Sequence, residues 1–173
     1  LALTIAYAAS GAALLVGGQR DRRAALLGLV LLLEASPWAD RLLDPFRHGA
    51  LPFMASIRVP FALQLDAFAP YFLLLFVSEY PRISSYDASR SLVRPLTQFA
   101  VPLGWVLLVA NIAAALLAAN TVPGAWAAPL FLLDRETDGS WYWPVVFGLS
   151  LVALAVLFQR ARAAAPTERR RVM

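Results

Sequence analysis

Hydrophobic positions in this chain are grouped in long runs, and the residues between the runs are rich in Arg, Asp, Glu and Pro. A helix that crosses a bilayer needs roughly 20 mostly apolar residues, about 17–25. Five runs approach that length and predict spans at about 1–18, 24–43, 59–80, 95–120 and 141–159. The run from Leu1 to Gly18 is uncharged, and no basic segment precedes it as a signal peptide would require. The second run is interrupted by Glu34, with Pro37 as a kink or stop. Residues 37–58 carry Pro37, Pro45, Pro52, Asp40 and Asp44, which predicts a loop with a short amphipathic turn at the interface. The third run holds Asp66 and Pro70, and the fourth opens at Pro95, suited to a first helical turn. Residues 121–140 combine Pro123, Gly124 and the stretch DRETD with a short apolar piece, APLFLL. This predicts a loop that packs on the bundle or dips into the interface. The fifth run opens with WYW, an aromatic belt of the kind found where lipid meets water.

Composition strengthens the membrane assignment. Hydrophobic residues make up 60% of the 173 and charged residues 15%, against about 45–50% and 25% in an ordinary soluble domain. Disorder is excluded by this hydrophobicity, and a disulfide framework or thiol site by the absence of Cys. No repeat of 20–50 residues is present, which excludes solenoids and propellers. The fold class is therefore all-α, a polytopic transmembrane bundle of about five spans, followed by a basic connector at 160–173.

Charge sets an orientation. The net charge is +4, and all the basic residues apart from His48 are Arg. Arg20, Arg22 and Arg23, then Arg82, Arg90 and Arg94, then Arg160, Arg162, Arg169, Arg170 and Arg171 fall on one side of a five-pass topology. Arg41, Arg47, Arg58 and Arg135 fall on the other, mixed with acids. By the positive-inside rule the Arg-rich side and the tail are cytoplasmic. Arg20, Arg22, Arg23 and the tail arginines also serve as anchors to anionic lipid. This accounts for the basic balance without nucleic acid as a partner.

Ionisable groups at membrane depth are functional candidates by default. Glu34 lies about 15 Å into the second span and Asp66 about 10 Å into the third, at 1.5 Å per residue. On consecutive antiparallel helices they are expected to share an outer-half cavity, with Arg58, Gln64 or Asn111 as partner. The competing reading is structural: either acid meets a neighbouring Arg, amide or backbone group. Pro70 is expected to free the Asp66 carbonyl and bend the span, and bent helices line cavities. Glu34, Asp66, Pro70 and Asn111 are thus the candidate sensing residues. Gly148, Ser150 and the Ala-rich surroundings of Asn111 predict close helix contacts. The lone loop His48 has no second His or Cys to make a metal site. No nucleotide-binding, kinase, hydrolase or metalloprotease signature occurs, so no catalytic residue, metal or cofactor is expected within these residues.

The stretch LQLDAFAPYFLLLFVSEYPR, residues 63–82, resembles a recurring segment of bacterial multi-span sensor proteins. There, a polar-interrupted helix runs into an aromatic and aliphatic ending. DRETDGSWYWPVVF, residues 134–147, and RARAAAPTERRRV, residues 160–172, are similar to the loop, span and basic connector that follow in the same proteins. These include membrane histidine kinases and relatives with a sporulation-type phosphatase module. The resemblance implies the sensing and anchoring region of a two-component signalling protein in the bacterial inner membrane. It also implies an output domain beyond Met173, since no phosphoacceptor His region, ATP lid or phosphatase aspartates occur here. The lipid bilayer, a second copy as a homodimer and a small-molecule or membrane stimulus are the expected partners. The alternative is a fragment of a transporter or other multi-pass protein with an outer-half acidic site.

Overall fold

The computed structural model describes residues 2–18, 20–47, 64–80, 89–120 and 125–163, and every regular element among them is helical. Helix α1 (Ala2–Gly17) and helix α2 (Arg22–Arg47) form a hairpin. A single 3-10 turn (Leu65–Phe68) leads into α3 (Ala69–Glu79), followed by the long α4 (Ser89–Asn120). A second 3-10 turn (Ala125–Ala127) and the one-turn α5 (Ala128–Phe131) precede α6 (Tyr142–Ala163).

The hairpin follows from local chemistry. The Gly18 amide donates to the Leu14 carbonyl at 2.8 Å and closes α1. The Asp21 carboxylate then accepts the Arg23 amide at 3.0 Å, an N-terminal cap that starts α2. The two helices cross at Gly11 and Gly28. A methyl group on either glycine would sit 2.8 Å from the carbonyl oxygen of the other. Small residues bring membrane helices into such backbone contact, and here the pair that does so is Gly11 and Gly28. Gly148, expected from the sequence to serve this purpose, is exposed with nothing within 4 Å of its hypothetical methyl.

The main core joins Leu26 and Val30 of α2, Leu73, Leu74, Phe76 and Val77 of α3, Val93 and Ala100 of α4, and Ala153 and Val156 of α6. At the other end, Ala67, Leu107, Tyr142 and Val146 pack together. The start of α3 thus meets the second half of α4 and the start of α6, and its end meets the start of α4 and the end of α6. Helices α3 and α6 run parallel to each other and antiparallel to α4. Arg22 of α2 pairs with Glu79 of α3 at 3.0 Å, so α2 is antiparallel to α3.

The all-α class stands, but five spans do not. Among the described residues, two helical segments are long and apolar enough to cross a membrane: Leu92–Leu117 within α4 and Tyr142–Arg162 within α6. Helix α1 is 16 residues and α3 is 11. At 1.5 Å per residue α3 reaches about 17 Å, short of a hydrocarbon core of about 30 Å. Helix α2 is long enough, but its arginines, Glu34, Asp40 and Asp44 make it too polar to qualify.

Proline positions also depart from expectation. Helix α2 continues past Pro37 to Arg47, where a loop is predicted from residue 37. Pro95 lies inside α4, which starts six residues earlier at Ser89. Pro70 sits in the first turn of α3 and starts that helix rather than bending a longer one. The Asp66 carbonyl is not freed, because it accepts the Ala69 amide. His48, Arg58, Arg82, Pro166 and Arg169, Arg170 and Arg171 lie outside the described residues.

The contrast between the glycines gives a direct test. Gly28→Ala is expected to lower the detergent melting temperature, at a cost of about 1–3 kcal/mol, because the added methyl forces the backbones apart. Gly148→Ala is expected to hold or raise it, since Ala is favoured over Gly within a helix by roughly 0.5–1 kcal/mol. Circular dichroism melts measure both, and equal behaviour of the two variants would contradict the Gly11–Gly28 crossing.

Candidate functional site

The polar residues of the bundle meet where the second half of α4, the start of α3 and the loop before α6 converge. Asp66 is only 2% exposed and Asn111 1%. Asp66 lies in the 3-10 turn ahead of α3, where an acid is favoured by the amides at a helix start. Asn111 faces inward from α4, about 14 Å before that helix ends at Asn120.

Asn111 is a clamp. Its Nδ2 donates to the Leu107 carbonyl at 2.6 Å and to the Leu133 carbonyl at 3.3 Å. Its Oδ1 accepts the Arg135 amide at 2.9 Å. One side-chain amide therefore satisfies backbone groups on both sides of Asp134 and pins the loop to α4. Burial without such partners would cost about 1–3 kcal/mol per group.

The loop is shaped before it reaches the clamp. The Trp141 amide donates to the Leu132 carbonyl at 2.8 Å and closes the segment. The Thr137 hydroxyl donates to Asp134 Oδ2 at 2.8 Å. The Ser140 hydroxyl oxygen accepts the Tyr142 amide at 3.0 Å and caps α6. Gly139 takes φ +78°, a backbone that side chains disfavour.

This scaffold carries Arg135 inward. Its Nη1 lies 3.6 Å from Asp66 Oδ2, with both side chains buried. The guanidinium also stands 5.1 Å from the Trp143 ring centroid, a cation–π distance. Trp143 in turn stacks on Phe147 at 5.1 Å. The WYW motif is accordingly not a simple belt. Trp141 is exposed, Trp143 holds the cation, and Tyr142 is fully buried against Ala67 and Leu107.

The structure brings together three of the four candidate sensing residues. Asp66 and Asn111 are both tied to Arg135, and Glu34 on α2 lies within electrostatic range of Asp66. Pro70 is buried one turn further along α3 and contributes shape rather than a polar group. Gln64 is buried beside them at the head of the 3-10 turn. In the sequence Arg135 falls in the acidic outer loop, where the neighbouring Asp134, Glu136 and Asp138 suggest solvent. Its position eight residues before Trp143 gives no hint of the fold-back.

The basic candidates gather at the opposite end. Arg22 pairs with Glu79, Arg23 lies 5.6 Å from the Tyr80 ring, and Arg162 lies 4.1 Å from the Phe158 ring. Arg160 is buried, 4% exposed, and its Nη1 donates to the Val77 carbonyl in the last turn of α3. A cation there suits the carbonyl end of a helix. Arg20 is exposed.

No family model, curated protein or solved structure matches the chain. The site's chemistry rests on its own geometry. Among the described residues, no three His, Cys, Asp or Glu side chains are grouped to hold a metal ion. The arrangement is a buried ion pair clamped by an amide, which can store or release an electrostatic contact between α3, α4 and the loop.

Two measurements test the site. Arg135→Gln should cost about 3–5 kcal/mol by leaving Asp66 buried without this cation. The double variant with Asp66→Asn should be milder than the sum of the singles by at least about 1 kcal/mol. Additive losses in chemical unfolding would show that the 3.6 Å approach carries no coupling.

Asp134 supplies a pH test. Its carboxyl is held above the ordinary value of 3.8, first by burial. The Thr137 hydroxyl opposes this and the Glu136 charge adds to it. An acid raised in the folded state binds more protons folded than unfolded, so its contribution falls as pH rises through the window above 3.8. Asp134→Asn should therefore match the parent's melting temperature near pH 3.5 and exceed it at about pH 7, where the parent carries the half-buried charge. A variant less stable than the parent at neutral pH would contradict this.

Proposed function

We propose that this chain is the membrane-embedded sensing and anchoring region of a bacterial signal-transduction protein, with a histidine kinase as the output that follows it. The observation that carries the reading is the Arg135–Asp66 pair held by Asn111, because it ties three separate segments at one end of the bundle. Helix α6 begins seven residues after Arg135 and runs toward the basic connector. A stimulus that favours one state of the pair shifts α6 relative to α4. It shifts the equilibrium only by its differential affinity for the two packings. The apolar segments of α4 and α6 support membrane insertion. The Arg-rich end, with Arg22, Arg23, Arg160 and Arg162, supports a cytoplasmic placement of that end. The closeness of Glu34 to Asp66 favours one rival, a transporter fragment with an outer-half acidic site.

In the full-length protein, Asp66→Asn is expected to change a downstream reporter's response, while Asp138→Asn, exposed on the same loop as Arg135, leaves it near the parent level. A Cys placed at exposed Asp138 should react with a membrane-impermeant label from outside the cell, and one at Ser85 only after permeabilisation. Equal reporter responses would return Asp66 to a structural role. Labelling of Ser85 from outside would reverse the orientation.

A further inference from the structure

The Arg-rich end of the bundle contains a cavity of about 620 Å³ between α3, α4 and α6. Its wall combines Leu75 and Ser78 of α3, Val93, Arg94, Thr97 and Gln98 of α4, and Arg160 of α6. We infer that this cavity is a binding site for an anionic glycerophospholipid, with the headgroup phosphate between Arg94 and Arg160. The inference rests on membrane insertion and not on the sensing role.

Four observations converge on that ligand. The first is level. Arg94 directly precedes the uncharged run 95–133 that contains most of α4, and Arg160 directly follows the uncharged run 139–159 that contains most of α6. Both guanidiniums therefore stand at one boundary of the two candidate spans, where lipid phosphates lie. The second is placement. Arg160 is nine-tenths buried, and its contact to the Val77 carbonyl fixes it on the cavity wall. Arg94 is exposed and supplies a second cation from the facing helix.

The third is the chemistry of the remaining polar groups. The Ser78 hydroxyl donates to the Leu75 carbonyl at 2.6 Å, and the Thr97 hydroxyl to the Val93 carbonyl at 2.8 Å. Both protons are thus directed to helix backbone, and the other donor groups among the described wall residues are the two guanidiniums and the Gln98 amide. Guanidinium is well matched to phosphate oxygens. The fourth is the apolar surround. Leu92 and Phe99 are exposed on α4, one helical repeat of seven apart on the side that includes Pro95, and Phe158 is exposed on α6. Acyl chains can lie along these positions while the phosphate enters between the helices. Basic pockets between membrane helices on the cytoplasmic side are a recurring form of headgroup recognition. Among the described residues of the wall the charged groups are the two guanidiniums, which suit an anionic lipid better than a zwitterionic one, whose ammonium would meet them.

The test uses the whole chain in detergent, with melting temperature followed as phosphatidylglycerol is titrated into the micelles. Phosphatidylglycerol is expected to raise it in a saturable way, and phosphatidylcholine at equal mole fraction to leave it near the lipid-free value. Arg94→Gln, at an exposed position, should melt like the parent without lipid and need about tenfold more phosphatidylglycerol for half the effect. Arg94→Lys should recover most of the difference. Arg160→Gln should show the same loss if it folds, and Arg94→Gln decides the matter if it does not. Glycerol phosphate and inorganic phosphate, added to matching concentration, should not replace the lipid. Equal responses to the two lipids, an Arg94→Gln response like the parent's, or full replacement by a soluble phosphate would each overturn the site. A lost reporter response with intact lipid stabilisation would count against the sensing role alone.

Discussion

A carboxylate kept out of water at the end of an apolar bundle constrains everything around it. Asp66 is almost fully buried, and an isolated charge there would be several kcal/mol unfavourable. The solution is a cation delivered from a loop that would otherwise point to solvent. That delivery requires Asn111 to hold the loop backbone, Gly139 to let it turn, and Ser140 to start α6 in the right place. The full burial of Tyr142 follows, because the start of α6 must lie against Ala67 and Leu107 for Arg135 to reach Asp66.

A second arginine repeats the arrangement at the far end. Arg160 reaches the Val77 carbonyl, so α3 and the polar turn before it are tied to α6 and its preceding loop at both limits. Between the ties, Leu73, Leu74 and Val77 pack against Ala153 and Val156. Helices α3 and α6 are thereby coupled into one unit that runs the length of the bundle. Any rearrangement that leaves both ties intact must move that unit against α4 and the α1–α2 hairpin. The hairpin is itself held by close backbone approach at Gly11 and Gly28.

The short α3 depends on the protein around it. Eleven helical residues do not cross a bilayer. A short helix flanked by buried polar residues is tolerated when the surrounding protein satisfies its ends. Here the 3-10 turn, Arg135 and Asn111 serve one end, and Arg160 serves the other.

The sequence by itself determined the helical class, the placement of most helices and the gathering of arginines at one end. These follow from run length and charge, which act locally or through the solvent alone. It also singled out Asp66, Glu34 and Asn111, since a polar residue inside an apolar run is visible without neighbours. The number of spans was not legible in that way. Hydrophobic length counts residues and does not register that Leu65–Phe68 form a 3-10 turn before Pro70, or that α2 continues past Pro37. The partner of Asp66 was decided only by tertiary structure. Arg135 is separated from it by 69 positions, and its acidic neighbours describe a solvated loop. Which glycine would permit close packing was equally undetermined, because Gly28 and Gly148 differ in what faces them and not in their own surroundings along the chain. Local pattern fixes what a residue prefers, whereas the contact it makes depends on segments distant in sequence, and these meet only when the bundle closes.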